Sequence, residues 1–225
     1  MKKYLICLIS LVLCLFVFFG CERATQNKFS ACISENTFGL ASSSDGKFKV
    51  DYKWGKRENP YASDGKTSPL IEYGVITATS LTGKLKNHTA SYSILIDNKQ
   101  YEGDFLVNPY DQTFVIDLRF IPTQTTDFEI EIINDDVAFA YTLQNVLGEG
   151  DATCDEVVSI AYNALKNSIS TRLAEGETYE IYVRLVNSQN KDFKPCWYVS
   201  VYTTKNQLFA VAVDPNTRIV LARKI

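Results

Sequence analysis

The chain has 225 residues, 23 basic against 26 acidic side chains and a single histidine, for a net charge of −3. A chain without a basic field is a poor partner for nucleic acid or anionic lipid headgroups. Six cysteines without a Cys-x-x-Cys pair or a histidine beside them exclude zinc and thiol-redox chemistry, so no metal and no cofactor are expected.

Lys2 and Lys3 precede an uncharged apolar run from Tyr4 that ends in Phe18-Phe19-Gly20-Cys21. A basic tip, an apolar stretch and a small residue at the break make a secretory signal. With a cysteine directly after Gly20, the segment resembles the lipobox of bacterial lipoproteins. That resemblance implies a signal peptide over residues 1–20, cleavage before Cys21, a diacylglyceryl group on Cys21 and a location on the extracytoplasmic face of a membrane. The alternative is an uncleaved anchor, since Tyr4 to Gly20 spans roughly 17 residues, the lower edge of a bilayer helix. Either reading exports the chain and tethers it to a membrane. Without Lys2 and Lys3, 21 basic residues face 26 acidic ones, a mature net charge of −5.

Residues 21–47 read as the lipidated cysteine and a polar tether, although Phe29, Ile33, Phe38 and Leu40 are more apolar than a tether requires and suit a first strand or short helix. From Phe48 the period becomes two: Phe48, Val50, Tyr52 and Trp54 alternate with Lys49, Asp51 and Lys53, as in a half-buried strand. Leu70 to Leu81 resumes as strand after Asp64-Gly65 and Ser68-Pro69. Tyr92 to Leu106 predicts a hairpin turning at Asp97-Asn98, and Phe114–Phe120, Phe128–Ile132 and Val137–Leu143 add strands. The pattern predicts an antiparallel β-sandwich over residues 48–147, immunoglobulin-like in size but without the Cys–Trp–Cys signature.

Gly148-Glu149-Gly150 marks a boundary, and residues 151–225 read as an α+β unit. Thr153-Cys154-Asp155-Glu156 is a capping box opening a helix on which Val157, Ile160, Ala161, Ala164, Leu165 and Ile169 recur at helical spacing. Three strands follow at Tyr179–Val186, Trp197–Thr203 and Leu208–Val213, with a fourth at Ile219–Ala222. The helix Ser159-Ile160-Ala161-Tyr162-Asn163-Ala164-Leu165, the strand Trp197-Tyr198-Val199-Ser200-Val201 and the run Phe209 to Thr217 resemble the PepSY family; Arg218 stands where that family often has glycine. The resemblance implies a helix packed on an antiparallel three- to four-stranded sheet, no catalytic residues, and a role in binding or restraining partners such as a peptidase.

Few residues are candidates for chemistry. His88, alone in a polar stretch, reads as a solvated loop residue, and no Gly-x-Ser-x-Gly elbow accompanies it. Glu149, Asp151, Asp155 and Glu156 match no calcium loop and suit a helix start. Asp135-Asp136 reads as a turn, and Trp54, Tyr198 and Tyr202 as core or as an aromatic binding face. Of the exported cysteines, Cys154 and Cys196 are expected at one edge of the α+β unit. A disulfide between them would close a loop of about 40 residues and stabilise by up to roughly 4 kcal/mol. The expectation is a tethered, non-enzymatic binding protein for peptides, envelope proteins or a peptidase. The alternative is a carboxylate-dependent hydrolase of extracellular glycans.

Overall fold

The structure, a computed structural model, describes residues 25–45, 47–82, 89–123, 128–173, 176–187 and 194–225. Cys21, the signal segment and His88 lie outside them. A helical segment over residues 25–30 (α1) is followed by β1 (Ile33–Ser44), β2 (Phe48–Glu58) and β3 (Leu70–Ser80). Next come β4 (Ser91–Ile96), β5 (Lys99–Asp104), β6 (Leu106–Val107), β7 (Phe114–Leu118), β8 (Phe128–Asn134) and β9 (Val137–Asn145). Helix α2 (Cys154–Arg172) precedes β10 (Tyr179–Val186), β11 (Cys196–Thr203), β12 (Leu208–Val213) and β13 (Val220–Lys224). The fold is mainly antiparallel β.

The strands expected from Phe48 onward are found close to their expected bounds, and the positive-φ residues fall at the expected turns. Asp97 and Asn98 (φ 50° and 61°) turn β4 into β5, Asp135 and Asp136 (φ 54° and 61°) turn β8 into β9, and Asn206 (φ 60°) lies between β11 and β12. The expected capping box is present: Thr153 Oγ1 accepts the Glu156 N–H, and Glu156 Oε2 accepts the Thr153 N–H at 2.9 Å. Both orphan amides at the start of α2 are thereby satisfied.

One expectation is corrected. Residues 33–44 are not tether but β1, the strand on which the rest is assembled. Its start, from Ile33 to Asn36, pairs in parallel with β10, the stretch from Glu35 to Ser44 antiparallel with β2, and Ala41-Ser42 with β9. The two groups of strands between β1 and β9 are joined where β9 pairs with β1. They run β1-β2-β3-β7-β6 on one side and β1-β9-β8-β4-β5 on the other, and β5 and β6 are separated only by Phe105, whose N–H donates to Ala90 O. The strand bends there from one half to the other, which makes the sheet barrel-like.

The period-two strands fill this barrel with aromatic side chains. Tyr52, Trp54 and Phe128 meet edge to face or tilted, with ring centroids 4.9–5.5 Å apart, beside Phe48, Phe105 and Phe114. Gly39 makes this packing feasible: a Cβ there would lie 2.1 Å from Trp54 Cζ2. Glycine in a strand interior commonly marks such a close approach.

A second core lies between α2 and β10–β13. Val157, Ala161, Leu165 and Ile169 on the helix meet Ile181, Val183, Trp197, Val199, Val201 and Val211 on the sheet. Trp197 is fully buried and its Nε1–H donates to Ala152 O at 3.0 Å. Phe29 of α1 completes this core against Tyr162, and Leu40 of β1 belongs to it too. The α+β unit expected over residues 151–225 therefore draws part of its core from residues 29–40, ahead of the barrel in the chain.

Candidate functional site

Where β1 runs between β10 and β2, a bulge between Ile33 and Glu35 turns Glu35 away from the helix-side core. Its register partners are Tyr182 on β10 and Arg57 on β2. A glutamate in that position is enclosed on both sides, and Glu35 is only 4 % exposed. Buried carboxylates persist when their lone pairs are filled and their charge is met, and here both conditions hold. Oε2 accepts from Arg184 Nε at 2.7 Å and from the Tyr61 hydroxyl at 2.8 Å. Oε1 accepts from the Tyr73 hydroxyl at 3.1 Å and faces Lys53 Nζ at 3.6 Å.

Burial alone would raise the Glu35 pKa, but Lys53 and Arg184 outweigh it and hold the carboxyl below its ordinary range. Tyr61 and Tyr73 are pushed above the usual phenol range, by burial first and then by the Glu35 charge. Glu35 is therefore a charged acceptor shared by two cations and two tyrosine hydroxyls.

Above Glu35, β2, β3 and the end of β10 border an open cleft of about 350 Å³. Leu40, Val75 and Val186 give it an apolar floor, and Lys53, Arg57 and Arg184 line it beside one carboxylate, Asp51. The two arginines are held by stacking and pairing: Arg57 lies 4.8 Å from the Tyr73 ring centroid and bonds Asp117 at 2.9 Å, and Arg184 lies 4.7 Å from the Tyr182 ring. Arg184 commits Nε to Glu35 and Nη2 to the Tyr61 hydroxyl. Lys49 closes one end by donating to Asn187 O at 2.8 Å and pairing with Asp51 at 3.0 Å. Planar guanidiniums suit carboxylate recognition, and here they already meet the carboxylates of Glu35 and Asp117.

Among the described residues, those singled out from sequence are dispersed, and none lines this cleft. Asp151 accepts the Gly148 N–H at 2.8 Å, Glu156 caps α2 and pairs with Arg218, and no group of three metal-ligating side chains occurs among the described residues. Trp54 is core, whereas Tyr202 packs edge to face on Tyr182 with centroids 5.9 Å apart.

Cys154 and Cys196 are not joined; both are free, as is Cys32. Trp197, Val199 and Val201 point at α2, so alternation along β11 sends the adjacent Cys196 to the other face of the sheet. Cys154 opens α2 on the helix side, where its thiol donates to Asn36 Oδ1. Burial raises all three thiols, Cys154 to about 12 with Asp155 adding to the effect. Thiolate is the reactive form, so these cysteines should alkylate at least about tenfold more slowly in the native protein than a free thiol does. Denaturation without reductant should then release three reactive thiols. Recovery of only one would restore the Cys154–Cys196 bond.

The signal that could have pointed to Glu35 is faint: a lone carboxylate in a polar stretch, with its two cations carried far away on Lys53 and Arg184. Compared with known proteins, the chain matches no protein-family model, no curated protein and no solved structure.

Proposed function

We propose that this chain is an exported lipoprotein, anchored through lipid on Cys21, that binds a carboxylate-bearing extended peptide segment of an envelope protein or peptidase. The observation that carries the binding reading is the cleft over Glu35, where three cations and one carboxylate, Asp51, border an apolar floor. The floor suits side chains of an extended segment, and the guanidiniums suit its carboxylates. The order of α2 followed by antiparallel β10–β13 supports a PepSY-like reading of the C-terminal region, a family whose members restrain partners. The lipobox-type ending Gly20-Cys21 supports the tether.

The test is titration of fluorescent acidic and basic peptides of equal length into the mature chain. Acidic peptides should bind preferentially and weaken with added salt. Arg57→Ala, on the cleft rim, should weaken them about tenfold, equivalent to 1.4 kcal/mol, with unchanged thermal stability as the check on folding. Equal binding of both peptide classes, or no effect of Arg57→Ala, would remove the cleft from consideration.

A further inference from the structure

The segment joining β2 to β3, residues 59–69, does not hang free. It crosses the face of β10 and β11 that points away from α2. The Tyr182 hydroxyl lies 2.9 Å from both Ala62 O and Ser63 Oγ. The Gly65 N–H donates to Glu180 Oε1 at 3.0 Å, and Gly65 O accepts from Thr178 Oγ1 at 2.8 Å. Gly65 has φ +77°, and a Cβ there would lie 2.4 Å from Thr204 N, so the backbone presses directly on the turn beyond β11. At the ends of the segment, Tyr61 reaches Glu35 and Ser68 Oγ donates to Glu58 Oε2 at 3.0 Å.

Beneath this segment lies a buried carboxyl group, with the Gly65 amide donating to Oε1. Glu180 is fully buried, and its Oε2 has no direct hydrogen-bond partner. Ser34 Oγ and Glu58 Oε1, in residues that are 0 % and 3 % exposed, are likewise without one. The groups facing Glu180 are Ser34 from β1, Glu58 from β2, Tyr182 from β10, its register partner Tyr202 from β11 and the Gly65 amide from the segment. Among the described residues no cation bonds to Glu180: Arg184 and Lys53 are engaged with Glu35, and Lys205 pairs with Glu177 at 3.9 Å. A buried carboxylate in such surroundings is strongly disfavoured, whereas the neutral acid has an O–H to offer Ser34 Oγ.

We propose that residues 59–69 form a pH-operated strap, held shut over β10–β11 by the neutral carboxyl of Glu180 and lifting when that carboxyl loses its proton to solvent. Burial raises the Glu180 pKa, and the nearby Glu58 charge adds to the effect. The closed form is therefore favoured below the ordinary carboxyl range and weakens as pH rises through the raised value. Lifting hydrates Glu180, Glu58 and Ser34 together. It also withdraws Tyr61 from Glu35 and Arg184, which links the strap to the cleft. The strap stands without the ligand reading, because its state is measured with no peptide present.

Hydrogen exchange of the mature protein, corrected for intrinsic rates between about pH 5 and pH 8, reads the strap directly. Amides of the strap around Gly65 should lose protection at least about tenfold across that range, while those of β2 and α2 keep theirs. Glu180→Gln, neutral at every pH, should hold the strap protected throughout. Glu58→Gln, which removes the like charge, should reduce opening at the high-pH end and serves if the first variant fails to fold. A flat wild-type profile, or the wild-type profile retained in these variants, overturns the proposal. So does protection governed by added calcium instead of pH, since the oxygens would then belong to a cation.

Discussion

Replacing Glu35 by alanine should lower the stability of the folded chain by about 3–5 kcal/mol, the range for removing one partner from a buried ion pair. The loss would come less from the missing carboxylate than from what it leaves behind. Arg184 Nε, at 2.7 Å in the intact site, and the Tyr73 hydroxyl, at 3.1 Å, would both lose their acceptor within β1, β3 and β10. Because β1 carries β10 on one side and β2 on the other, the damage should reach both cores. Denaturant unfolding is the measurement, with an unchanged slope confirming that the folded state itself is intact. A loss under about 1 kcal/mol would show that Glu35 behaves as a surface ion pair.

The pH dependence of this site has a definite sign. Glu35 is held below its unfolded value, so its contribution is present above the ordinary carboxyl range and lost as pH falls through the depressed value. Glu180 is held above its unfolded value and acts oppositely, its contribution being lost as pH rises. Glu35→Gln should therefore remove part of the loss as pH falls, and Glu180→Gln part of the loss as pH rises. Two carboxyls on one face of the sheet thus bound stability from both directions.

The second large effect concerns location. Cys21→Ser should abolish incorporation of a palmitate analogue and move the chain from the membrane fraction to the soluble exported fraction. Each buried methylene contributes about 0.8 kcal/mol, and two acyl chains give the durable attachment that one does not. The substitution also separates the two readings of the apolar segment, since an uncleaved Tyr4–Gly20 anchor would keep the variant on the membrane. Cys21 precedes every described residue, and the cores draw on Phe29 and later positions, so the variant should unfold like the parent. Mass spectrometry finding Cys21 unmodified in a full-length chain would end the lipoprotein reading.

The strands from β2 onward were legible because each carries its own instruction. Phe48-x-Val50-x-Tyr52-x-Trp54 alternates strictly, Asp97-Asn98 and Asp135-Asp136 accept positive φ, and Thr153 with Glu156 caps a helix locally. The Cys154–Cys196 bond failed for an equally local reason: alternation already placed Cys196 opposite to Trp197, and proximity at an edge does not put two side chains on the same face. Strand β1 was harder to read. Its sequence, Ile-Ser-Glu-Asn-Thr-Phe-Gly-Leu-Ala-Ser-Ser-Ser, is small and polar and carries two register shifts.

By itself the sequence determined the succession of later strands, the turns between them and the capped helix, because those depend on neighbours within a few residues. Only the tertiary structure decided that residues 33–44 are the shared strand, that the sheet turns a corner at Phe105, and that Glu35 and Glu180 are buried carboxyls with opposite electrostatics. The physical reason is separation along the chain. The groups that enclose and charge Glu35 stand on β2, β3 and β10, and those that isolate Glu180 stand on β1, β2 and the strap. A carboxylate's environment is set by which strands lie beside it, and that is information no local pattern holds.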